Sequence, residues 1–129
     1  MPKDEADIVA GCLRKFTTKV VKKLGRDLIT NLSNATPVDT GYASVNWLAS
    51  IGVDSDRTAG ERPTKGVASR SELLASLALI ASSKDLLDKT LYINNNVHYI
   101  VKLNEGSSSQ APALFVDSVV ESTVRKLER

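Results

Sequence analysis

Seven apolar residues, Val9, Leu13, Phe16, Val20, Leu24, Leu28 and Leu32, recur at steps of three and four, the period at which side chains return to one face of an α-helix. The spacing predicts one long helix from about Asp4 to Ser33 with that row buried. Its other side carries Lys15, Lys19, Lys22 and Arg26, again at steps of four, three and four, with Arg14 and Lys23 flanking the stripe. Cys12 falls on the apolar side, where it reads as a small core residue. Gly25 weakens the middle of the helix slightly.

Pro37 ends the helix, because a proline disfavours the α conformation in the residue before it. In Thr36-Pro37-Val38-Asp39-Thr40-Gly41, Pro pre-sets one dihedral, Asp bonds backbone amides just ahead and Gly takes a positive φ. This hexapeptide is the strongest turn signal in the chain. Beyond it, Val45, Trp47, Ala49, Ile51 and Val53 alternate with Asn46, Leu48, Ser50 and Gly52, the period of two that suits a strand, with Trp47 anchoring its buried face. Residues 54–66 are polar, hold two Gly and one Pro and lack apolar periodicity, which reads as a mobile loop.

Ser69 and Glu72 have the spacing of a capping box, and Leu73, Leu74, Leu77, Ile80 and Ala81 give a short amphipathic helix behind it. A strand is expected near Thr90 to Asn94, ending in the turn-tolerant Asn94-Asn95-Asn96. Val97 to Leu103 suits a strand or a short helix, the helix being favoured, with Gly106 to terminate it. Ser107 to Ala111 reads as a loop, Pro112 as a first helical residue, and Val116, Val120, Val124 and Leu127 as the apolar row of a last helix. The expected architecture is a single α+β domain over residues 1–129: a long N-terminal helix and a C-terminal helix on a small, mainly antiparallel sheet, with a short middle helix.

Composition narrows the function classes. Leu, Ile, Val and Phe make up 36 of 129 residues, above the share of about one fifth below which chains tend to stay disordered. The net charge is only +2, so any electrostatic reading must be local. One Cys and one His cannot supply a Cys/His metal site. The opening Met1-Pro2-Lys3-Asp4-Glu5 lacks the apolar run of a secretory signal. The longest apolar stretch, Leu73 to Ala81, is interrupted by Ser76 and falls far short of the roughly 20 residues that span a bilayer. A soluble chain with no membrane partner is expected.

Catalytic arrangements are equally sparse. A hydrolytic triad would have to use His98, and no Gly-x-Ser-x-Gly elbow occurs; His98 beside Tyr99 reads as a partly exposed structural residue. Gly60 to Gly66 has Gly and Lys without the order that cradles phosphates. Asp54 and Asp56 lack the further ligands of a calcium loop and read as solvated charge. No catalytic, metal-binding or cofactor-binding residue is assigned. The basic stripe has two readings, a solvated helix face or a contact with nucleic acid or an acidic protein surface.

Two stretches together resemble the small neck or tail-completion proteins of tailed bacteriophages, which join the filled head to the tail. The first is Thr36-Pro37-Val38-Asp39-Thr40-Gly41, with Ala43 and Trp47 downstream, similar to that family's Thr-Pro-Val-Asp-Thr-Gly turn leading into a strand that carries a Trp. The second runs from Tyr92-Ile93-Asn94-Asn95 through Tyr99-Ile100, Leu103, Gly106, Ser108, Gln110-Ala111-Pro112 and Phe115-Val116, similar to the family's Asn-Asn, Tyr, Gly-x-Ser-x-Gln-Ala-Pro series before its last helix. The resemblance covers roughly Leu13 to Val124. The chain departs from the pattern with Leu114 where the family often has Gly, and with Ser107 and Ser109 where bulkier residues are common.

The resemblance implies a non-enzymatic virion component at the head-tail junction, assembled as a ring of its own copies around the genome channel, with a tail-terminator role as the close variant. Implied partners are head-completion or adaptor proteins on one side and tail-terminator or tail-tube proteins on the other, with double-stranded DNA nearby and no cofactor. It also implies that Asp39 and Gly41 fix the helix-to-strand corner, and that Gln110 and Pro112 fix the loop before the last helix. On this reading Lys15, Lys19, Lys22 and Arg26 form an interface, with a protein neighbour favoured over DNA. The alternative from another class is a small DNA-binding module using the basic face of the first helix.

Overall fold

The computed structural model of the chain describes residues 5–38, 41–58, 67–106 and 111–127. In chain order they form α1 (Glu5–Ala35), a 3-10 turn (Ser44–Asn46), β1 (Leu48–Ile51), α2 (Ser71–Ser82), β2 (Leu91–Asn94), α3 (Ile100–Asn104) and α4 (Phe115–Leu127). The architecture is α+β, with long first and last helices and a two-stranded antiparallel sheet. In the sheet Leu48 lies opposite Asn94 and Ile51 opposite Leu91, and the ladder continues where the Gly52 N–H donates to the Thr90 carbonyl at 2.9 Å.

The core gathers Ile29 and Leu32 of α1, Val45 of the turn, Trp47 between the turn and β1, Ala49 of β1, and Leu73 and Ile80 of α2. α2 also closes one side of β1, where the Ser76 hydroxyl accepts from the Ala49 N–H at 3.0 Å and leaves that edge donor satisfied. Buried Gly25 is what lets the layers approach: a Cβ there would come within 2.6 Å of a Leu91 methyl and 3.4 Å of one on Ile80. A residue that costs helix propensity in isolation is the seat on which β2 and α2 rest.

α4 lies along α1. Asn31 Nδ2 donates to the Thr123 hydroxyl at 3.1 Å, while Leu127 sits beside the stretch from Lys19 to Asp27, so the two helices run antiparallel. α1 therefore outruns α4 at its N-terminal end. The expected buried row of α1 is covered only from Val20 onward: Val9, Leu13 and Phe16 are 57%, 58% and 66% exposed, and Cys12 is exposed rather than in the core. Periodicity marks a face, and here no described element reaches the first three turns of that face.

Other boundaries shift for local reasons. The strand expected from Val45 starts at Leu48, because Val45 and Asn46 donate their N–H groups back to Gly41 and Ala43 and wind a turn, and it stops at Ile51, leaving Val53 exposed. The capping box is not formed: Glu72 pairs with Arg57 at 2.5 Å, and the Ser69 hydroxyl accepts from the Ser71 N–H at 3.3 Å. In α4 Phe115 and Thr123 are buried and Val119 packs on the core, while Val120 and Val124 of the expected row lie outward.

Pro112 does not open α4, which begins three residues later at Phe115. Asn104 holds that start from α3: its carbonyl accepts from Leu114 N–H and its side-chain oxygen from Val116 N–H at 2.9 Å. Between them Leu114 sits at φ +60°, the one non-glycine residue with positive φ among the described residues, a conformation that costs an L side chain roughly 1–2 kcal/mol. Leu114 is exposed, so Leu114→Gly gives up little burial. It is expected to leave stability unchanged or raise it by up to about 1 kcal/mol, whereas the β-branched Leu114→Val lowers it by about 1 kcal/mol or more. Thermal unfolding of the two variants checks this, and a clear loss in the Gly variant would mean the left-handed corner is absent.

Candidate functional site

Thr36 is the last buried residue before the corner and serves both of its sides. Its hydroxyl donates to the Leu32 carbonyl at 2.6 Å and accepts from the Trp47 indole N–H at 2.8 Å. Gly41 at φ +83° turns the chain, and its carbonyl then accepts from Val45 N–H and the Ser44 hydroxyl, both at 3.0 Å. Pro37 is half-buried and Val38 exposed. Asp39 and Thr40 lie outside the described residues.

The three consecutive asparagines work as clamps. Asn95 Nδ2 donates to the Ala43 carbonyl at 2.8 Å, and its side-chain oxygen accepts from Val97 N–H at 3.2 Å. Asn94 holds the Asp54 carboxylate and the Ser55 carbonyl, and Asn96 the carbonyls of Ser55 and Arg57. Residues 54–57 of the expected mobile loop are thereby fastened to the end of β2; residues 59–66 lie outside the described residues. Tyr99 packs edge-on against exposed His98 with ring centroids 4.9 Å apart. Gly106 closes α3 with its N–H on the Leu103 carbonyl at 3.2 Å. Ala111 is buried and Pro112 exposed, while Ser108 and Gln110 lie outside the described residues.

The fold thus brings the two motif regions together through Asn95 and Ala43. What it assembles there is backbone geometry, with amides and hydroxyls spent on carbonyls and N–H groups. Among the described residues no group of three His, Cys, Asp or Glu side chains is placed to hold a metal ion.

The feature with chemical reach is on the other side of α1. The outer face of its middle turns is flanked by the end of α2 with the residues after it and by the last turn of α4, forming a groove of about 860 Å³. Lys15, Lys19, Lys22 and Arg26 all line it, joined by Lys23 and by Lys84 from the loop after α2. Among the described lining residues Asp27 is the one carboxylate, so their six cations against it leave +5, in a chain whose total is +2. Lys23 pairs with Asp27 at 2.9 Å, and Lys22 donates to the Ser83 carbonyl at 2.9 Å near the C-terminal end of α2, where cations are favoured. Lys15, Lys19, Arg26 and Lys84 have no ion-pair partner among the described residues. Val20, Ala81 and Leu127 add apolar surface between the charges.

Arg14, which flanks the stripe in sequence, does not join the groove. It pairs with Asp85 and Asp88, both at 3.3 Å, and with the Leu86 N–H donating to the Thr18 hydroxyl at 3.1 Å it fastens the loop after α2 to α1. Lys84 and Leu127 carry no local signal that ties them to the stripe; only the packing of α2 and α4 brings them there. Comparison with protein-family models, with curated proteins and with solved structures gave no match.

The clamp makes a graded expectation. Asn95→Ala leaves the N–H of buried Val97 without its acceptor and the carbonyl of buried Ala43 with only the Asn46 N–H, a loss of about 1–3 kcal/mol. Asn96 makes two bonds but is exposed, so water replaces them and Asn96→Ala costs under about 1 kcal/mol. Denaturant unfolding ranks the pair, and equal losses would remove Asn95 as the tie between the two regions.

Proposed function

We propose that the chain is a structural component of the tailed-phage neck, joining the DNA-filled head to the tail, with a tail-terminator position as the close variant. The observation that carries this reading is Leu114. The position at which the resembling family often has Gly is the one described non-glycine position with positive φ, the conformation that glycine adopts without penalty. A chance likeness of words gives no reason for the residue of departure to fall on that backbone conformation. The motif residues around it shape turns and ties, as expected where the working parts are surfaces rather than reactive groups. The basic groove is then an interface with a neighbouring protein, and the chain encircles or lines the genome passage together with copies of itself.

The test is a nonsense mutation in the phage gene for this chain, with lysates from suppressing and non-suppressing hosts imaged by electron microscopy. Separate DNA-filled heads and tails are expected without suppression, and normal infectious particles would overturn the joining role. In the same system Gly41→Val, strained at φ +83°, is expected to reduce incorporation into particles. The groove's +5 also favours a second reading, a DNA-binding module. That reading requires duplex binding by the isolated chain at low salt, falling steeply as salt rises, and no binding at low salt ends it.

A further inference from the structure

The groove does not stand alone on α1. Ile8, Cys12, Phe16, Lys19, Lys23 and Arg26 follow one another at steps of four, four, three, four and three, and therefore share one side of the helix. The upper half of this strip is apolar and open, with Ile8, Val9 and Phe16 at 55%, 57% and 66% exposure. The lower half is the +5 groove. α4 ends beside the lower half at Leu127, and the loop after α2 meets α1 at Arg14 and Thr18, so among the described residues the strip is left uncovered along its length.

We propose that this strip docks an acidic amphipathic segment of a partner protein, apolar where it meets Ile8, Val9 and Phe16 and carboxylate-rich where it meets Lys15, Lys19, Arg26 and Lys84. Charge complementarity selects the occupant. A second copy of the strip is a poor partner in either direction: parallel, it sets +5 against +5, and antiparallel, it lays lysines on apolar side chains. Duplex DNA satisfies the cations but offers phosphates and sugars to Ile8, Val9 and Phe16, whose burial it cannot reward. Its convex backbone also leaves the apolar surface of Val20, Ala81 and Leu127 unfilled. A peptide segment meets both halves, with carboxylates on the ammonium and guanidinium groups and apolar side chains on the floor and upper turns. From Ile8 to Arg26 the strip rises about 27 Å, the length of a helix of about 18 residues. The proposal deepens the reading of the groove as a protein interface but stands apart from the virion assignment, so particle genetics and peptide binding succeed or fail separately.

The experiment selects random peptides of about 18 residues on the full chain, with counter-selection on the doubly reversed K19E/R26E variant, and titrates the enriched peptides by fluorescence anisotropy. Enriched peptides are expected to hold Asp and Glu in one half and apolar residues three or four apart in the other. Their affinity is expected to fall about tenfold or more on K19E/R26E and on Phe16→Ser, and to be unchanged by Lys102→Glu, an exposed change on α3. Serine at the peptides' apolar positions is expected to reproduce the Phe16→Ser loss without touching the chain. Absence of enrichment, affinity indifferent to both apolar changes, or a duplex of about 20 base pairs that binds more tightly than the peptides and displaces them would each overturn the proposal.

Discussion

The hydroxyl of Thr36 is where the fold is decided. It donates to the last full turn of α1 and accepts from the indole of Trp47, so one buried atom fixes both where the helix ends and where the strand begins. A polar group that deep is tolerable only with its bonds made, and here both partners lie on opposite sides of a corner. With Trp47 held, β1 takes its register on β2, α2 covers β1, and α1 is left with one side packed and the other outward. The lysines that look like ordinary surface charge in sequence are then gathered by the same geometry onto the concave side, between the ends of α2 and α4.

That concentration has a consequence the net charge conceals. Charges several ångström apart on one helix face lie within a Debye length of about 8 Å at physiological salt, so they act together. Some of the field is absorbed within the chain, by Asp27 on Lys23 and by the Ser83 carbonyl on Lys22. Lys15, Lys19, Arg26 and Lys84 remain as a set whose mutual repulsion is relieved by an anion arriving from outside. Arg14 shows the contrast: its two aspartates make it a fastener of the fold and remove it from the surface chemistry.

What the sequence makes legible divides along physical lines. α1 is readable because apolar steps of three and four, sustained from Val9 to Leu32, match the turn of a helix and clash with the alternation of a strand. The Pro37 corner is readable because proline and glycine act locally. The exposure of Val9, Leu13 and Phe16 is not readable, since periodicity reports which side chains share a face and nothing about what covers it. The start of α4 is hidden for the same reason: Asn104, twelve residues before Val116, supplies the acceptor, and a local signal at Pro112 cannot compete with it. The asparagine run reads as turn-tolerant, yet its amides are ties to residues about forty to fifty positions earlier. Of the groove, the four cations on one helix are visible in the chain, while Lys84, Ala81 and Leu127 belong to it only through tertiary packing.

The two kinds of residue then carry different information. Thr36, Gly41, Asn95 and Gly106 are committed to backbone partners or to a turn, so a substitution there changes the fold before it changes any contact with a neighbour. The strip from Ile8 to Arg26 contributes no described hydrogen bond to the corner, and its exposed members vary without touching Trp47. Motifs of the first kind identify an architecture and are poor guides to partner choice, because any chain with that corner needs them. On the docking proposal, choice among partners rests on the second kind, where reversing two charges alters what the surface attracts and leaves the Thr36 corner as it was.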